Sequence, residues 1–336
     1  MSTIHDVARE AGVSIATVSR VLQGSSKVQP KTRELVDEAI KRLDYRPNRL
    51  AQQFRSQRTG DVLVILPDIG NTFFSEIIDG IDTVAQKNHY SILIADSHGI
   101  SDAEEHYYEM LRDKRVDGII SFSSALPSER LLDYSAEGPI VIGVRYIENS
   151  QIPNVTIDNM KAAADITRYM LNLGHQKFCY LAGPDGARLY RSRRQGFLSA
   201  LQERDITINP ALMVTCDASI QGGYDAVSSL INSAADFTAV VASGDTMAIG
   251  AIRALNNFGL RVPEDIAVAG FDDIELSRLL SPTLTTVRQP KQQIGRHSME
   301  ILLDLINGKP MINYRTMLDY ELVIRESSGN FIKQEK

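Results

Sequence analysis

A short run near the amino terminus puts hydrogen-bonding and apolar side chains on the outer face of one predicted helix. From position 14 to position 22, Val18, Val21 and Leu22 recur at helical spacing and are expected to face inward. The outward-facing set is then Ile15, Ala16, Thr17, Ser19 and Arg20. The Arg20 guanidinium could donate to O6 and N7 of guanine, and apolar side chains could contact thymine methyl groups. The pattern favours a helix that reads base edges in a DNA major groove.

The residues around this helix predict how it would be presented. Gly12 can supply a tight turn after a first helix, and Ser14 is a good N-cap for the second and a candidate DNA contact. The hydroxyls of Thr17 and Ser19 suit phosphate oxygens. Together these features indicate a helix-turn-helix motif. A small helical domain that binds a protein is the alternative, because this helix geometry is shared with modules that do not bind DNA.

The elements that position the motif are three helices predicted within residues 3–45. Thr3 and Asp6 form a capping-box-like start for the first helix. The third helix is predicted from about Lys31 to Asp44. One face of it is expected to carry Leu35, Ala39, Ile40 and Leu43. A short polar segment with helix potential follows at residues 48–56.

From residue 60 onward, short apolar runs alternate with amphipathic helices. The runs are Val62–Leu66, Ser91–Ala95, Gly118–Phe122, Pro139–Val144, Val155–Ile157, Phe178–Ala182, Ala239–Ala242 and Ile266–Ala269. Apolar strands that alternate with helices predict parallel sheets covered on both faces, and there are enough strands for two sheets. The predicted fold class is therefore α/β, with an all-helical head and two doubly wound α/β lobes.

Charge is distributed unevenly along the chain. The net charge is −6, but residues 1–60 hold eleven Lys and Arg against six Asp and Glu, a balance of +5. The remaining residues hold 25 and 36, a balance of −11. A basic head on an acidic body suggests that only the head meets a polyanion.

Motifs of common enzymes are missing from the sequence. There is no GxSxG, HExxH, Walker loop or GxGxxG after a strand, and the six histidines lack metal-ligand spacing. We therefore predict no catalytic residues, metal or cofactor, although fold alone does not exclude an enzyme. Cys179 and Cys216 form no CxxC motif. Together with the lack of a signal peptide and of a long apolar stretch, this predicts a cytoplasmic protein that does not enter a membrane.

Longer segments resemble one known family. IHDVAREAGVSIATVSRVL at residues 4–22 and RPNRLAQQF at 46–54 resemble the headpiece of the LacI/GalR family of bacterial repressors. Matching body segments include TIDN at 156–159, LGHQKFCYLAGP at 173–184, RVPEDIAVAGFDD at 261–273 and PTLTTVRQP at 282–290. Several are most similar to the cytidine repressor branch. The resemblance covers nearly the whole chain and implies a body like a type I periplasmic binding protein.

For the head, the resemblance implies specific DNA contacts. Ile15 and Ala16 stand at the base-reading positions, and Arg20 matches the arginine of the recognition helix. Residues 48–54 match a hinge helix, whose expected DNA contacts are Asn48, Arg49, Gln52 and Phe54. Phe54 occupies the place of an apolar wedge, usually leucine, that enters the minor groove. This departure leaves the preferred central base step open.

For the body, the resemblance implies a small-molecule effector bound between the lobes. The expected contacts are Phe73, Phe74, Arg145, Asp158, Arg193 and Asp272. An aromatic face suits a sugar ring or a base, aspartates accept from hydroxyls, and an arginine donates to oxygens. The alternative for the two phenylalanines is ordinary core, and for the two aspartates a turn or a helix cap.

Two positions depart from well-known relatives. Ala218 stands where the family often has a large aromatic, and Gly244 stands where some sugar-responsive members have asparagine. A sugar and a nucleoside therefore both stay open as effectors, and so does the choice between inducer and co-repressor. A DNA-tethered enzyme that processes such compounds is a remote alternative.

The resemblance also implies a domain order and an assembly. The head is expected at 1–46, the hinge and linker at 47–60, and the two-lobed body at 61–328. The first lobe would take about 61–158 and 288–312, and the second about 159–287 and 313–328. A homodimer would place two heads on near-palindromic operator DNA. No heptad extension follows the body, so no tetramerisation helix is predicted.

Overall fold

The computed structural model describes residues 2–22, 27–45, 58–123, 125–145, 147, 150–184 and 188–329. By its contacts the chain divides into two compact units, residues 1–59 and 60–336, called here the head and the body. The predicted hinge contacts Asn48, Arg49, Gln52 and Phe54 lie outside the described residues.

The described part of the head contains three short helices. They are α1 (Ile4–Glu10), α2 (Ile15–Leu22) and α3 (Pro30–Arg42). Thr3 caps α1, and its side chain and that of Asp6 each accept from the other residue's backbone N–H, which completes the predicted capping box. Gly12, between α1 and α2, has φ +64°, a left-handed conformation in which a side chain would be strained.

The head has its own apolar core. Its fully packed members are Val7, Ala8, Val18, Val21, Val36 and Ala39. The prediction that Leu35 shares the inner face was wrong, since Leu35 is 47% exposed while Val36 is completely buried. Positions 35 and 36 both have helical spacing to position 39, so the pattern alone does not choose between them.

The body contains two parallel sheets with helices between their strands. The strands are β1 (Asp61–Leu66), β2 (Ser91–Asp96), β3 (Gly118–Ser121), β4 (Ile140–Gly143), β5 (Asn154–Ile157), β6 (Phe178–Ala182), β7 (Met213–Thr215), β8 (Ala239–Ala242), β9 (Ala267–Ala269), β10 (Thr286–Arg288), β11 (Arg315–Leu318) and β12 (Glu321–Val323). The helices are α4 (Phe73–Lys87), α5 (Ser101–Arg112), α6 (Ser128–Glu137), α7 (Asn159–Asn172), α8 (Arg188–Gln202), α9 (Ile220–Asn232), α10 (Asp245–Asn257) and α11 (Lys291–Ile306). Short 3₁₀ turns lie at Pro210–Leu212, Glu275–Arg278 and Glu326–Ser328.

The first lobe is built on a six-stranded sheet in the order β11-β5-β4-β3-β1-β2. All its neighbouring strands are parallel. The side chains of β3 and β4 are buried along their whole length, as expected for strands covered on both faces. Helices α4 and α11 pack closely, because Gly295 brings α11 against the carbonyl oxygen of Ile77 on α4.

The second lobe is built on a four-stranded parallel sheet in the order β7-β6-β8-β9. Helices α7 and α8 pack as one pair, and α9 and α10 as another. Strands β10 and β12 form a separate antiparallel ribbon, which an isolated bridge between Asp272 and Arg288 joins to the segment after β9. The predicted alternation of strands and helices in two parallel sheets is confirmed.

The chain passes between the lobes three times. It leaves the first lobe after β5, returns before α11, and leaves again after β11. The prediction had assigned residues 313–328 to the second lobe, but β11 pairs with β5 in the first sheet. Strand β11 is an edge strand whose side chains alternate between exposed and half-buried, so no apolar run indicated which sheet it would join.

Candidate functional sites

The outer face of α2 presents the residues predicted to read bases. Ile15 is 38% exposed, and Ala16 and Arg20 are also exposed. Thr17 and Ser19 are half-buried at the edges of this face. An exposed isoleucine beside an alanine is unusual for a solvated helix and suits apolar contact with base methyl groups. Ile15, Ala16 and Arg20 are thus accessible on one face of α2, and their contact with bases stays a prediction.

The start of α2 is fixed by Ser14. Its Oγ accepts from the backbone N–H of Thr17 at 3.1 Å, and the two hydroxyl oxygens lie 2.9 Å apart. The first turn of α2 carries no acidic residue. Its N-terminal amides are therefore compatible with a nearby phosphate, which the partial positive charge of a helix N-terminus favours.

In the body, the predicted effector contacts Arg193 and Asp272 lie together. Arg193 is 3% exposed, and its Nη2 is 3.1 Å from Oδ1 of Asp272. Its Nε donates to Oδ1 of Asn159 at 2.9 Å, and its Nη1 to the carbonyl oxygen of Ser243 at 2.6 Å. The guanidinium carbon also lies 3.7 Å from the ring centroid of Phe271. Each guanidinium nitrogen has a partner, so the group is held in one orientation.

Asp272 occupies a strained turn after β9. Its φ is +118° and that of Asp273 is +49°, in a region that non-glycine residues rarely adopt. Burial raises the pKa of the Asp272 carboxyl, while Arg193 favours the charged form. Strained backbone of this kind persists where surrounding contacts hold it, and it is common at ligand sites.

Two residues of this cluster were not predicted from the sequence. Gln289 donates from Nε2 to Oδ1 of Asp272 at 2.7 Å, and its buried Oε1 has no hydrogen-bond partner among the described residues. Asn159 holds Arg193. Both stand beside features that the sequence did show: Asn159 ends the TIDN motif, and Gln289 follows the short β10 strand. Both residues lie close to the predicted lobe boundaries, but no sequence pattern predicts their contacts with Arg193 and Asp272.

A second buried carboxylate is hydrogen-bonded to the segment that carries Asp272. Asp245, at the start of α10, accepts from the backbone N–H of Ile274 at 2.9 Å, the Ser277 hydroxyl at 2.6 Å and the Thr286 hydroxyl at 2.6 Å. Burial, with a smaller contribution from Asp272, raises the pKa of Asp245 to about 6. Three donors on one buried carboxylate fix the segment that carries Asp272.

Lys291 connects this turn to the first lobe. It lies at the start of α11 and is only 4% exposed. Its Nζ is 3.3 Å from the carbonyl oxygen of Asp272 and 3.0 Å from Oε1 of Glu76 on α4. The Asp272 turn is therefore in contact with both lobes.

The other four predicted effector contacts are not part of the cluster around Asp272. Asp158 caps α7 by accepting from the backbone N–H of Lys161 at 2.9 Å, so the helix-cap alternative describes its contact. Phe73 and Phe74 are buried at the start of α4 and pack edge to face, 5.2 Å between ring centroids. Arg145 is buried two residues after β4. Contact of these four side chains with an effector stays a prediction.

Among the described residues, no three His, Cys, Asp or Glu side chains are placed to hold a metal ion. None of the helices described is long and apolar enough to cross a membrane.

Comparison with known families decides what the two units are. Residues 3–48 match the profile of bacterial regulatory proteins of the lacI family. Residues 59–319 match the profile of periplasmic binding proteins and the sugar binding domain of the LacI family. The chain belongs to the LacI family. It is therefore a member of a family of DNA-binding transcription regulators, and the resemblance inferred from its motifs is confirmed.

Individual LacI-family members are similar over nearly the whole chain. The HTH-type transcriptional repressor CytR of Escherichia coli K12 is 35% identical over 328 residues, which cover 97% of this chain and 96% of CytR. The HTH-type transcriptional regulator GalS of Salmonella typhimurium LT2 is 38% identical over 304 residues, covering 90% of this chain and 89% of GalS. The crystal structure of the lac repressor dimer bound to operator and the anti-inducer ONPF has a TM-score of 0.87 at 29% identity, covering 98% of this chain and 99% of that one.

Proposed function

We propose that this LacI-family protein is a cytoplasmic repressor that binds near-palindromic operator DNA as a homodimer. The main support for this proposal is the exposed face of α2, where the side chains of Ile15, Ala16 and Arg20 lie outside the head core. The similarity to CytR, which is a transcriptional repressor, and to the operator-bound lac repressor dimer supports it.

We further propose that a small polar effector, a sugar or a nucleoside, binds between the lobes and changes operator affinity. Support comes from the cluster around Asp272, which combines a fixed guanidinium, a carboxylate and the Oε1 of Gln289, an atom without a hydrogen-bond partner in the described part of the chain. Such a mixture of donors and acceptors suits a polyhydroxyl ligand. Because Lys291 and Gln289 place the cluster at a crossover, a ligand there would have different contacts in open and closed lobes. That difference is what an allosteric effector requires.

Dimer formation is supported by exposed apolar side chains on both lobes. In the first lobe, the edge strand β2 exposes Leu93 and Ile94 by 40% and 43%. In the second lobe, the 3₁₀ turn at 275–278 and the residue after it expose Leu276 by 40% and Leu279 by 69%. Exposed apolar clusters and an unpaired sheet edge are surfaces that a second copy would bury.

The proposed function can be tested by selecting DNA with the purified full-length protein. Fragments of random sequence are bound, recovered and sequenced, and the same is done with Arg20→Ala. We expect the wild-type protein to enrich a near-palindrome of two half-sites, and the variant to lose preference at one base pair of each half-site. Recovery of no consensus sequence by the wild-type protein would refute the proposal.

The effector part is tested on the selected DNA. Sugars and nucleosides are added to the protein–DNA complex, and the dissociation constant is measured by fluorescence anisotropy. A compound that weakens binding acts as an inducer, and one that strengthens it acts as a co-repressor. If a compound that raises the unfolding temperature leaves the dissociation constant unchanged, effector gating by that compound is excluded.

A further inference from the structure

Arg145 is a buried cation whose hydrogen-bonding capacity is largely unused. It lies two residues after β4, at the carboxyl edge of the first sheet, and is 7% exposed. Its Nε and Nη2 atoms are buried and have no hydrogen-bond partner among the described residues. These two nitrogens form one edge of the guanidinium, the edge that donates two parallel hydrogen bonds to a carboxylate or phosphate. Leaving such donors unpaired in a buried place costs free energy, so an acceptor is expected there.

The backbone before Arg145 is held in an unfavourable conformation. Val144 has φ +56°, which a β-branched residue rarely adopts. Gly143 allows the ring of Phe122 to lie where a Cβ would stand, only 1.9 Å from the position of that atom. Both features fix where the chain leaves β4 and therefore where the guanidinium is placed. Strain of this kind is common where a side chain must be presented to a ligand.

The neighbouring carboxylate does not satisfy these donors. Glu104 attracts Arg145 electrostatically, but its Oε2 accepts from the Ser123 hydroxyl at 2.8 Å and from the backbone N–H groups of Ala125 and Leu126. Its Oε1 has no hydrogen-bond partner among the described residues. Glu104 therefore forms its hydrogen bonds with the loop after β3. Its interaction with Arg145 is electrostatic, without a hydrogen bond among the described residues.

A second cation approaches Arg145 from the other lobe. Burial lowers the pKa of the Arg145 guanidinium, and the charge of Arg188, the first residue of α8, lowers it further. Arg193, which pairs with Asp272, lies on the same helix. An anionic group placed between the two guanidinium groups would be attracted by both of them.

We propose that the effector carries an anionic oxygen group, a phosphate or a carboxylate, that is bound by the Nε–Nη2 edge of Arg145 and faces Arg188. The inference rests on the proposed function, because it names the chemical class of the effector for the same cleft. It also gives a physical reason for effector-dependent closure. The anion has an attraction in the closed state that is missing when the lobes are apart.

The test compares matched pairs of ligands on the purified full-length protein. Isothermal titration is done with ribose and ribose 5-phosphate, with cytidine and cytidine 5′-monophosphate, and with gluconate as the carboxylate. Thermal unfolding is also followed in inorganic phosphate and in potassium chloride of equal ionic strength. We expect a charged compound to bind about tenfold to a hundredfold more tightly than its neutral partner, the range for hydrogen bonds to a charged group. Phosphate should raise the unfolding temperature more than chloride does.

Variants assign the effect to the proposed residues. Arg145→Gln and Arg188→Gln should each remove most of the preference for the charged compound. Arg194→Gln, a change at an exposed arginine on the same helix, should retain it. Because Arg188 is only half-buried, its variant provides a test even if Arg145→Gln folds poorly.

The two proposals fail in different ways. Equal affinities for charged and neutral partners, or equal stabilisation by phosphate and chloride, would overturn the anion inference. Retention of the preference in both arginine variants would also overturn it. A neutral sugar or nucleoside that changes operator affinity would leave the proposed function intact while refuting the anionic group. Failure of the DNA selection would refute the proposed function alone, since anion binding is measured without DNA.

Discussion

The ion pair between Arg193 and Asp272 joins helix α8 to the strained turn after β9 across 3.1 Å. The same oxygen of Asp272 accepts from Gln289, which stands where the chain returns to the first lobe. A ligand that competes for Asp272 therefore changes contacts at a crossover as well as inside one lobe. A contact made at Asp272 can therefore change the relative position of the two lobes. Effector gating needs two such lobe positions.

Removal of Arg193 should lower both stability and the response to effector. In Arg193→Ala, Asp272 loses its cationic partner while it is still largely buried. We expect the free energy of unfolding to fall by about 3 kcal/mol, the usual cost of breaking a buried pair by removing one partner. Denaturant unfolding measures this change, and anisotropy with the selected DNA should show operator binding without an effector-dependent shift.

The control is Arg191→Ala, which removes an exposed arginine from the same helix. Its unfolding free energy should stay within about 0.5 kcal/mol of the wild type. A normal effector response in Arg193→Ala would show that the cluster around Asp272 is structural and that the effector binds elsewhere.

Arg20 should determine one base pair of each half-site. A bidentate contact with guanine contributes about 1–3 kcal/mol of discrimination against another base. Arg20→Ala should therefore lose about tenfold or more in affinity for the selected site, and much less for sites substituted at that pair. Arg9→Ala is the control, because Arg9 is an exposed residue of α1 whose carboxylate neighbour is Asp6. The same base preference in Arg20→Ala and the wild type would remove Arg20 from base recognition.

Features with a local cause were predictable from the sequence. The capping box of α1, the turn at Gly12 and the outward face of α2 follow from residue type and helical spacing. The two parallel sheets follow from buried apolar runs such as β3 and β4. In each case a few adjacent residues determine the conformation, so one sequence carries enough information.

Features that depend on distant pairing were harder to predict. The edge strand β11 has no apolar run, and only its pairing with β5 assigns it to the first lobe. The family resemblance implies an effector contact at Asp158 of the TIDN motif, whereas the side chain that reaches Arg193 is that of the next residue, Asn159. Gln289 contacts Asp272 because the chain crosses between lobes there, and spacing along the sequence contains no sign of that contact.

Asp245 should make stability depend on pH between about 4 and 6. Its pKa rises from 3.8 to about 6 on folding, so the folded state holds a proton that the unfolded state has released in this range. Stability from this group is fully present below pH 4 and is lost as the pH rises to 6, with an upper bound of about 3 kcal/mol. In Asp245→Asn the group no longer titrates. The difference in unfolding free energy between wild type and variant should therefore decrease from pH 4 to pH 7, and a constant difference would contradict the shifted pKa.

Leu279 should contribute to the dimer. It is 69% exposed beside Leu276, and a charged side chain there would oppose burial against a second copy. Leu279→Arg should weaken dimerisation by about tenfold or more, as for a central interface residue. Sedimentation equilibrium measures the change. Ile312→Arg is the control, since Ile312 is 98% exposed and lies away from β2 and from the 275–278 turn along the chain. An unchanged dimer in Leu279→Arg, or an equal loss in Ile312→Arg, would exclude this surface.

Gly143 should be essential for the placement of Arg145. A Cβ at this position would lie 1.9 Å from Cε1 of Phe122, whose buried ring also packs 5.8 Å from Phe74 between centroids. The ring cannot move without disturbing the core, so Gly143→Ala should lower the free energy of unfolding by about 1–3 kcal/mol. It should also reduce phosphate-dependent stabilisation, because Arg145 follows two residues later. Gly70→Ala is the control, since its nearest contact is the exposed side chain of Asp68 at 3.1 Å. Unfolding measured with and without phosphate separates the two effects, and a variant with lower stability but an unchanged phosphate response would show that Gly143 serves packing alone.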